Sequence, residues 1–253
     1  MDDDKTPGDW IRRFARRPGD GPVLLCLPHA GGSAGFFMPV ARLAGEWAEV
    51  LSAQYPGRQD RRLEPCVDRV TDMADRIAAE VRPWTRRPLI LFGHSMGAVV
   101  AYEVARRLER SGVVPAGLFV SGRTAPSFVR DRGLHRKPDA DLLAEVRALG
   151  GTASVLLQDE EFMRGALPAI RADYRAIETY RHTDGPALGC PVIALTGEDD
   201  PRAPVADVAA WRAHTTGAFR LHTFPGGHFY LTDHLPRIAS LIRDHATTTV
   251  PSP

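Results

Sequence analysis

Short apolar segments alternate along the chain with longer segments in which apolar residues recur at helical spacing. The apolar segments are rich in Val, Leu, Ile and Phe and have the length of buried β-strands. The strands predicted in this way are VLLCL (23–27), EVLSAQY (49–55), LILF (89–92), GLFVSG (117–122), PVIALTG (191–197) and FRLHTF (219–224). This alternation predicts an α/β fold with a mostly parallel central sheet flanked by helices on both faces.

Helices are predicted in the segments that connect these strands. They lie near residues 36–47, 67–82, 96–110, 205–214 and 235–245. From about residue 123 to residue 186 the alternation pauses, and the segments 139–150 and 167–182 have helical spacing with no strand pattern between them. We expect this stretch to be a helical insertion within a single domain that spans residues 1–253. Residues 1–9 and 247–253 are expected to be flexible tails.

Size and charge narrow the classes of function. A chain of 253 residues that is 43% hydrophobic is long enough for one buried core and short for two. It carries 32 basic and 31 acidic residues, so it lacks the positive excess that nucleic-acid binding requires. No apolar run has the length of a signal-peptide core or a membrane span. We therefore expect neither nucleic acid nor a membrane as partner.

The cysteines and the absence of repeats suggest where and how the protein works. Cys26, Cys66 and Cys190 are widely spaced, with no CxxC pattern that would indicate a disulfide framework or a zinc site. This usage is typical of a reducing cytoplasm, so a cytoplasmic protein is expected. No heptad pattern or internal repeat is visible, which favours a monomer. No metal ligand spacing or cofactor motif is present, so we expect no metal and no cofactor.

One serine lies where a strand is predicted to turn sharply into a helix. The stretch FGHSMGA (92–98) contains GHSMG, which matches the pattern G-x-S-x-G. In this pattern two glycines permit a tight strand-to-helix turn, which holds a nucleophilic serine in a strained conformation above the sheet. The motif therefore predicts Ser95 as a catalytic nucleophile.

A serine hydroxyl is a weak nucleophile at neutral pH, so it requires a base and a group that orients the base. In this fold the expected chain order is serine, then an acidic residue, then histidine. His228 follows the last predicted strand in a glycine-rich turn, FPGGHFY, and is the predicted base. Asp200, in the segment LTGEDDP that ends a strand, is the predicted orienting acid. Its neighbour Asp199 is the alternative.

The tetrahedral oxyanion formed during acyl transfer needs two hydrogen-bond donors. One is expected to be the backbone N–H of Met96, directly after the nucleophile. The other is expected from the loop LPHAGGSAGFF after the first predicted strand, where we choose Ala30. His29, Phe36 and Phe37 in or next to this loop are candidate substrate-binding residues, with structural packing as the alternative role.

Taken together, these segments resemble those of a known family, the type II thioesterases. These are free-standing editing hydrolases associated with modular polyketide synthases and nonribosomal peptide synthetases. The segments that carry the resemblance span nearly the whole chain: WIRRF, LCLPHAGGSAGFF, QYPGRQDRRLEPC, FGHSMGA, SGRTAPS, DYRAIETY, LTGEDDP and WRAHTTGAFRLHTFPGGHFYL. The resemblance implies an α/β-hydrolase fold with a flexible helical lid near residues 123–186. It also implies a catalytic triad of Ser95, Asp200 and His228, with Met96 and Ala30 as oxyanion-hole donors.

The resemblance further implies a substrate and a partner. The substrate would be an acyl or aminoacyl group held as a thioester on the phosphopantetheine arm of an acyl or peptidyl carrier protein. Removing aberrant, often short, acyl groups would restart stalled assembly lines. Basic residues that could contact an acidic carrier protein, or could simply be solvated, are Arg58, Arg61, Arg62, Arg123, Arg130 and Arg132.

Some alternatives remain open from the sequence. A carboxylesterase or lipase acting on free esters would use the same triad, and an acyltransferase would replace water with another acceptor. A noncatalytic carrier-binding scaffold is disfavoured because Ser, Asp and His occur in the expected order. Apolar residues of the predicted lid would either line an acyl channel or pack against neighbouring helices; they are Leu156, Leu157, Phe162, Met163 and Leu167.

Overall fold

One seven-stranded sheet forms the centre of the chain in a computed structural model, which describes residues 10–17, 19–128, 131–150 and 160–249. Its strands are β1 (Ile11–Ala15), β2 (Val23–Leu27), β3 (Glu49–Ala53), β4 (Leu89–His94), β5 (Gly117–Ser121), β6 (Val192–Gly197) and β7 (Phe219–Phe224). They lie in the order β1-β3-β2-β4-β5-β6-β7, and every pair is parallel except β1 with β3. The predicted α/β class is confirmed.

The helices fall where helical spacing predicts them, with different ends. They are α1 (Met38–Ala44), α2 (Val70–Val81), α3 (Met96–Arg110), α4 (Asp139–Leu149), α5 (Glu160–Thr179), α6 (Val205–Ala209) and α7 (Leu235–Thr249). After α6 the chain tightens into a 3₁₀ helix over Ala210–His214. Within the described ranges, none of the helices has both the length and the apolar character required to cross a lipid bilayer.

The C-terminal boundary differs from the prediction. Helix α7 continues to Thr249, three residues into the segment for which a flexible tail was expected. The helix is extended because Ala246 is buried in the core and anchors its last turns. The hydroxyls of Thr247 and Thr248 donate to the carbonyl oxygen of Asp244 at 2.9 and 2.8 Å. Residues 1–9 and 250–253 lie outside the described residues.

The central strands are mostly apolar because both faces of the sheet are covered. Every residue of β2, β4, β5 and β6 is buried. Alternate side chains enter different cores: Leu25 and Leu27 pack with residues of α2 and α3, whereas Leu24 and Cys26 pack with residues of α1 and α7. The result is a three-layer arrangement that brings the carboxyl ends of the parallel strands to one edge.

Strand β1 gave no alternating signal that would have predicted it. Ile11 is its one fully buried residue and pairs with Ala53 of β3 at the edge of the sheet. The next two residues are arginines, and Arg13 places its Nε atom 3.1 Å from the carboxylate of Glu49. An edge strand that buries a single apolar side chain and pairs its cations with neighbours has a polar sequence.

The described part of residues 123–186 contains α4, α5 and a short 3₁₀ helix, and no strand. A small apolar cluster holds these elements together and consists of Leu134, Leu142, Leu167 and Ile170. Leu167 therefore packs between helices. Leu156 and Leu157 lie outside the described residues, as do the side chains of Phe162 and Met163.

Candidate active site

The turn between β4 and α3 holds Ser95 in a conformation that L-residues rarely adopt, with φ 55° and ψ −117°. Glycine is required on both sides. A Cβ atom added to Gly93 would lie 2.2 Å from the carbonyl oxygen of Gly97, and one added to Gly97 would lie 2.0 Å from that of Leu27. The backbone N–H of Ser95 donates to the carbonyl of Ser121 at 2.8 Å. These contacts fix the serine at the carboxyl edge of the sheet.

Ser95, His228 and Asp200 form a continuous hydrogen-bonded set. The Nε2 atom of His228 lies 3.0 Å from Ser95 Oγ, and its Nδ1 atom lies 2.8 Å from Asp200 Oδ2. Asp200 is 3% exposed and His228 is 5% exposed, whereas Asp199 is exposed. A neutral imidazole in this position donates Nδ1–H to Asp200 and accepts the serine O–H at Nε2. That is the arrangement a general base requires.

Two glycine-rich turns bring the acid and the histidine together. The backbone N–H groups of Glu198 and Asp199 donate to the carbonyls of Phe224 and Gly226 at 2.8 and 3.0 Å. A Cβ atom on Gly197 would lie 2.3 Å from the carbonyl oxygen of Gly226, so the two turns touch through their backbones. Close packing of these turns places Asp200 and His228 on the same side of the sheet.

A cavity of about 460 Å³ opens beside the serine. Ser95, His228, Met96 and Ala30 all line it, so both predicted oxyanion-hole residues are beside the predicted nucleophile. Helix α5 forms one wall through Tyr174, Ile177 and Glu178, and further lining residues are Arg123, Arg132, Leu134, Leu149, Pro201 and Arg202. The volume is within the range of about 300–1,000 Å³ that is common for small-molecule sites.

Glu178 fastens the loop over residues 131–136 to α5. Its carboxylate accepts the backbone N–H groups of Arg132, Leu134 and His135 at 3.3, 3.1 and 3.0 Å, and Nδ1 of His135 lies 2.6 Å away. Potential ligand atoms of Asp131, His135 and Glu178 lie within 4.8 Å of one another. Since hydrogen bonds within the chain account for the position of Glu178, we interpret the group as a loop anchor.

The three predicted substrate-binding residues lie away from the cavity lining. His29 is buried, and its ring packs edge-on against Phe36 and Phe229 at centroid distances of 4.5 and 4.8 Å. Burial, and then the nearby charges of His228 and Arg58, lower the pKa of His29 to about 3. Phe37 has no exposed surface and packs on Phe92, so the expected substrate contact is replaced by a role in the core.

A second histidine lies behind His228, the predicted base, and was not identified from the sequence. His94, in a variable position of the serine motif, is fully buried, and its ring centroid is 5.1 Å from that of His228. Its Nδ1 atom lies 3.0 Å from Ser121 Oγ, which is 2.7 Å from the hydroxyl of Tyr230. Burial, and then His228 and His29, lower the pKa of His94 well below its usual value. No motif joins these distant positions.

Two of the arginines proposed as carrier contacts are not available for that role. Arg58 is 8% exposed and pairs with buried Asp173, and Arg61 is 6% exposed and pairs with Glu64. Their charges are neutralised inside the chain, so that prediction is wrong for both. Of the remaining four, Arg62 is exposed, Arg123 and Arg132 line the cavity, and Arg130 lies outside the described residues.

A mostly parallel sheet flanked by helices, with a serine at the sharp turn after β4, places the chain in the α/β-hydrolase class. Within that class its residues 22–246 match the Thioesterase domain family, and the chain belongs to this family of hydrolases.

Relatives and solved structures extend the comparison. The chain is 50% identical over 248 residues to thioesterase PikA5 of Streptomyces venezuelae. The matched region covers 97% of this chain and 88% of that protein. The structure of BorB, a type II thioesterase from the borrelidin biosynthetic cluster, matches with a TM-score of 0.89 and 49% identity over 94% of this chain and 97% of that one. YbtT, a type II thioesterase from the yersiniabactin NRPS/PKS biosynthetic pathway, matches with a TM-score of 0.83 and 31% identity over 96% of this chain and 100% of that one.

Proposed function

We propose that the protein is a type II thioesterase that hydrolyses aberrant, short acyl groups from the phosphopantetheine arms of carrier proteins in polyketide or nonribosomal peptide biosynthesis. The observation that carries the proposal is the hydrogen-bonded set of Ser95, His228 and Asp200 opening onto a cavity. Membership of the thioesterase family and the similarity to BorB and YbtT support the substrate class.

The first half of the reaction forms an acyl-enzyme. His228 Nε2 takes the proton of Ser95 as Oγ attacks the thioester carbonyl, and Asp200 stabilises the resulting imidazolium. The oxyanion accepts hydrogen bonds from the backbone N–H groups of Met96 and Ala30. When the intermediate collapses, the carbon–sulfur bond breaks and the thiol leaves with the proton from His228. A thiol with a pKa of about 8.5 needs less help from this proton than an amine or an alcohol does.

The second half of the reaction releases the acid. Water attacks the acyl group on Ser95 while His228 Nε2 accepts a proton from the water. The same two backbone N–H groups stabilise the second oxyanion. The Ser95 oxygen then leaves and recovers its proton from His228, which returns the enzyme to its starting state. The sum is thioester plus water giving carboxylic acid plus thiol.

Size and wall chemistry favour a short acyl chain. A volume of about 460 Å³ has to hold the acyl group and the end of the pantetheine arm. The apolar side chains of Leu134, Leu149 and Ile177 would contact the acyl group, whereas charged residues on the same wall would disfavour a long alkyl chain. We also propose that α4 and α5 form the lid predicted for residues 123–186, since α5 walls the cavity.

The test is deacylation of the carrier protein itself. Acetyl-, propionyl- and longer acyl-phosphopantetheinyl carrier proteins are incubated with the enzyme and followed by intact-protein mass spectrometry, beside matched free esters. We expect rapid loss of short acyl groups and release of the free acid. Brisk ester hydrolysis without carrier deacylation would instead indicate a general serine esterase. Transfer of the acyl group to an added alcohol or amine would indicate an acyltransferase.

A further inference from the structure

A buried ion pair joins helix α5 to the loop after β3, and both of its members also bind the backbone of the loop after β2. We call residues 28–34 the oxyanion loop, because Ala30 belongs to it. Asp173 of α5 has no exposed surface, and its carboxylate receives Nη1 and Nη2 of Arg58 at 2.7 and 2.9 Å. The same Asp173 Oδ2 atom accepts the backbone N–H of Gly31 at 2.7 Å. One carboxylate therefore binds both a guanidinium and the residue that follows Ala30.

The guanidinium of Arg58 also binds the backbone of the oxyanion loop. Its Nη1 atom also donates to the carbonyl oxygen of Gly32 at 3.0 Å, while Nε and Nη2 donate to the carbonyl of Pro56 at 3.3 Å each. The Cζ atom of Arg58 lies 5.2 Å from the ring centroid of Tyr55. The hydroxyl of Tyr55 in turn donates to the carbonyl oxygen of Pro28 at 3.2 Å. Arg58 thus connects α5, the oxyanion loop and its own loop after β3.

Close packing against α5 restricts the backbone conformation of the oxyanion loop. Gly31 has φ +76°, and a Cβ atom there would lie 2.9 Å from Cγ1 of Ile170 in α5. The N–H group that Asp173 binds belongs to the peptide between Ala30 and Gly31. Fixing this peptide anchors the C-terminal side of Ala30 and so restrains the direction in which the Ala30 N–H points.

A gain in folding stability does not by itself explain why the chain buries the ion pair of Arg58 and Asp173. Removing two charges from water costs free energy that their attraction often fails to recover, and apolar replacements can be as stable. Burial acts to lower the pKa of Arg58, but the charge and hydrogen bonds of Asp173 outweigh it and raise the pKa. The guanidinium is therefore charged, with a planar fork that fixes both distance and direction.

We propose that Arg58 and Asp173 are positioning residues that lock the oxyanion loop against α5, so that the Ala30 N–H reaches the reacting carbonyl only while α5 is docked. This inference rests on the oxyanion-hole role of Ala30 in the proposed function. The helix that walls the cavity through Tyr174 and Ile177 is also the helix that holds this loop. Binding of the acyl group and formation of the oxyanion hole are consequently linked through α5.

The test compares chemistry with ground-state binding in three variants. Asp173→Asn keeps an oxygen for the Gly31 N–H but loses the charge, Arg58→Lys keeps a charge but loses the two-pronged geometry, and Asp173→Ala loses both. For hydrolysis of a short acyl-carrier thioester we expect Asp173→Ala to lower kcat about 10²-fold, the scale of a small misplacement in a site. KM should change little, and the two milder variants should lose less. The matched control is Arg175→Ala on the same helix, which breaks an exposed pair with Asp68 ahead of α2 and should leave kcat unchanged.

A transition-state analogue separates positioning from a loss of folded protein. A short-chain trifluoromethyl ketone forms a tetrahedral adduct with an active serine, so its inhibition constant reports on the oxyanion hole. We expect this constant to rise by the same factor by which kcat falls. A smaller folded fraction would reduce kcat without changing the inhibition constant, and that result would overturn the proposal. So would kcat values within twofold of wild type in all three variants.

The design also separates this inference from the proposed function. If the wild-type enzyme fails to deacylate carrier proteins but hydrolyses esters, the carrier-thioester function is wrong. The same variants can then be measured with the ester, whose hydrolysis passes through the same oxyanion at Ser95. Loss of ester turnover with a matching rise in the inhibition constant would still support the positioning role of Arg58 and Asp173. Unchanged ester turnover in these variants would refute that role.

Discussion

The carboxylate of Asp200 lies 2.8 Å from Nδ1 of His228, although the neighbouring Asp199 carries the same chemical group and is exposed. The two acids occupy adjacent positions in one turn, and the sequence allowed either to orient the base. Burial and direct contact select Asp200. Asp200 is therefore the candidate for orienting His228, and the exposed Asp199 is a matched control for mutagenesis.

Replacing each acid in turn tests this selection. Asp200→Asn should lower kcat by about 10⁴-fold, because an amide favours the histidine tautomer that cannot accept the serine proton. Asp199→Asn should leave kcat within about twofold of wild type, as expected for an exposed side chain away from the reaction. Steady-state hydrolysis of a short acyl-carrier thioester measures both. A nearly wild-type Asp200→Asn would show that another group orients His228.

The serine turn predicts a steric effect on stability. Gly97→Ala should destabilise the protein by about 3 kcal/mol or more, because the new Cβ atom would overlap the carbonyl of Leu27. Gly165→Ala, in an exposed part of α5 with no heavy atom within 4 Å of the new Cβ, should stabilise by about 0.5–1 kcal/mol. Urea unfolding gives both free energies of unfolding. Equal effects would contradict the geometry of the turn.

The buried His29 predicts a dependence of stability on pH. Its pKa is about 3 in the folded chain against an ordinary 6.5, so below pH 6.5 the unfolded chain binds the proton more readily. The stability that neutral His29 contributes is present above pH 6.5 and is lost as the pH falls towards 3. Between pH 6.5 and pH 5 this amounts to about 2 kcal/mol.

A substitution that cannot titrate separates this effect from packing. In His29→Leu the free energy of unfolding should fall less between pH 7 and pH 5 than in wild type. The control Phe36→Leu removes a ring that contacts His29 and should lower stability by the same amount at both pH values. An unchanged slope in His29→Leu would mean that this histidine does not drive the pH dependence.

Recognition of a carrier protein predicts a dependence on salt. Arg132 is 54% exposed in its side chain and lines the cavity, so it can meet an acidic carrier. KM for the carrier-bound substrate should rise as ionic strength exceeds about 0.1 M, where screening acts over about 10 Å, with little change in kcat. Arg132→Ala should weaken this dependence, whereas Arg42→Ala, which removes an exposed arginine of α1, should not. A KM that is insensitive to salt would exclude electrostatic steering.

Short-range patterns explain why much of the fold and the triad could be predicted. The apolar runs of the central strands and the glycines around Ser95 are local consequences of burial and of a tight turn. The chain order of acid and base then pointed to His228 and to the adjacent pair of Asp199 and Asp200. In the structure, His228 lies within hydrogen-bonding distance of both Ser95 and Asp200.

Contacts between distant positions explain most of what was missed. Asp173 and Arg58 are 115 positions apart, and Ser121 and Tyr230 are 109 apart, so no local motif joins them. Arg58 was interpreted as a surface cation because the sequence does not report burial. Phe37 was assigned to the site for its place after a glycine-rich loop, although its side chain turns into the core.

The central claim is that the acyl group passes through Ser95, and the most direct measurement compares wild type with Ser95→Ala on a propionyl carrier protein. We expect kcat/KM to fall on the order of 10⁶-fold, as in other triad hydrolases. The thermal midpoint should change little, because a hydroxyl is removed without filling or opening the core. Retention of most of the wild-type activity by a folded Ser95→Ala protein would contradict the assignment of the nucleophile.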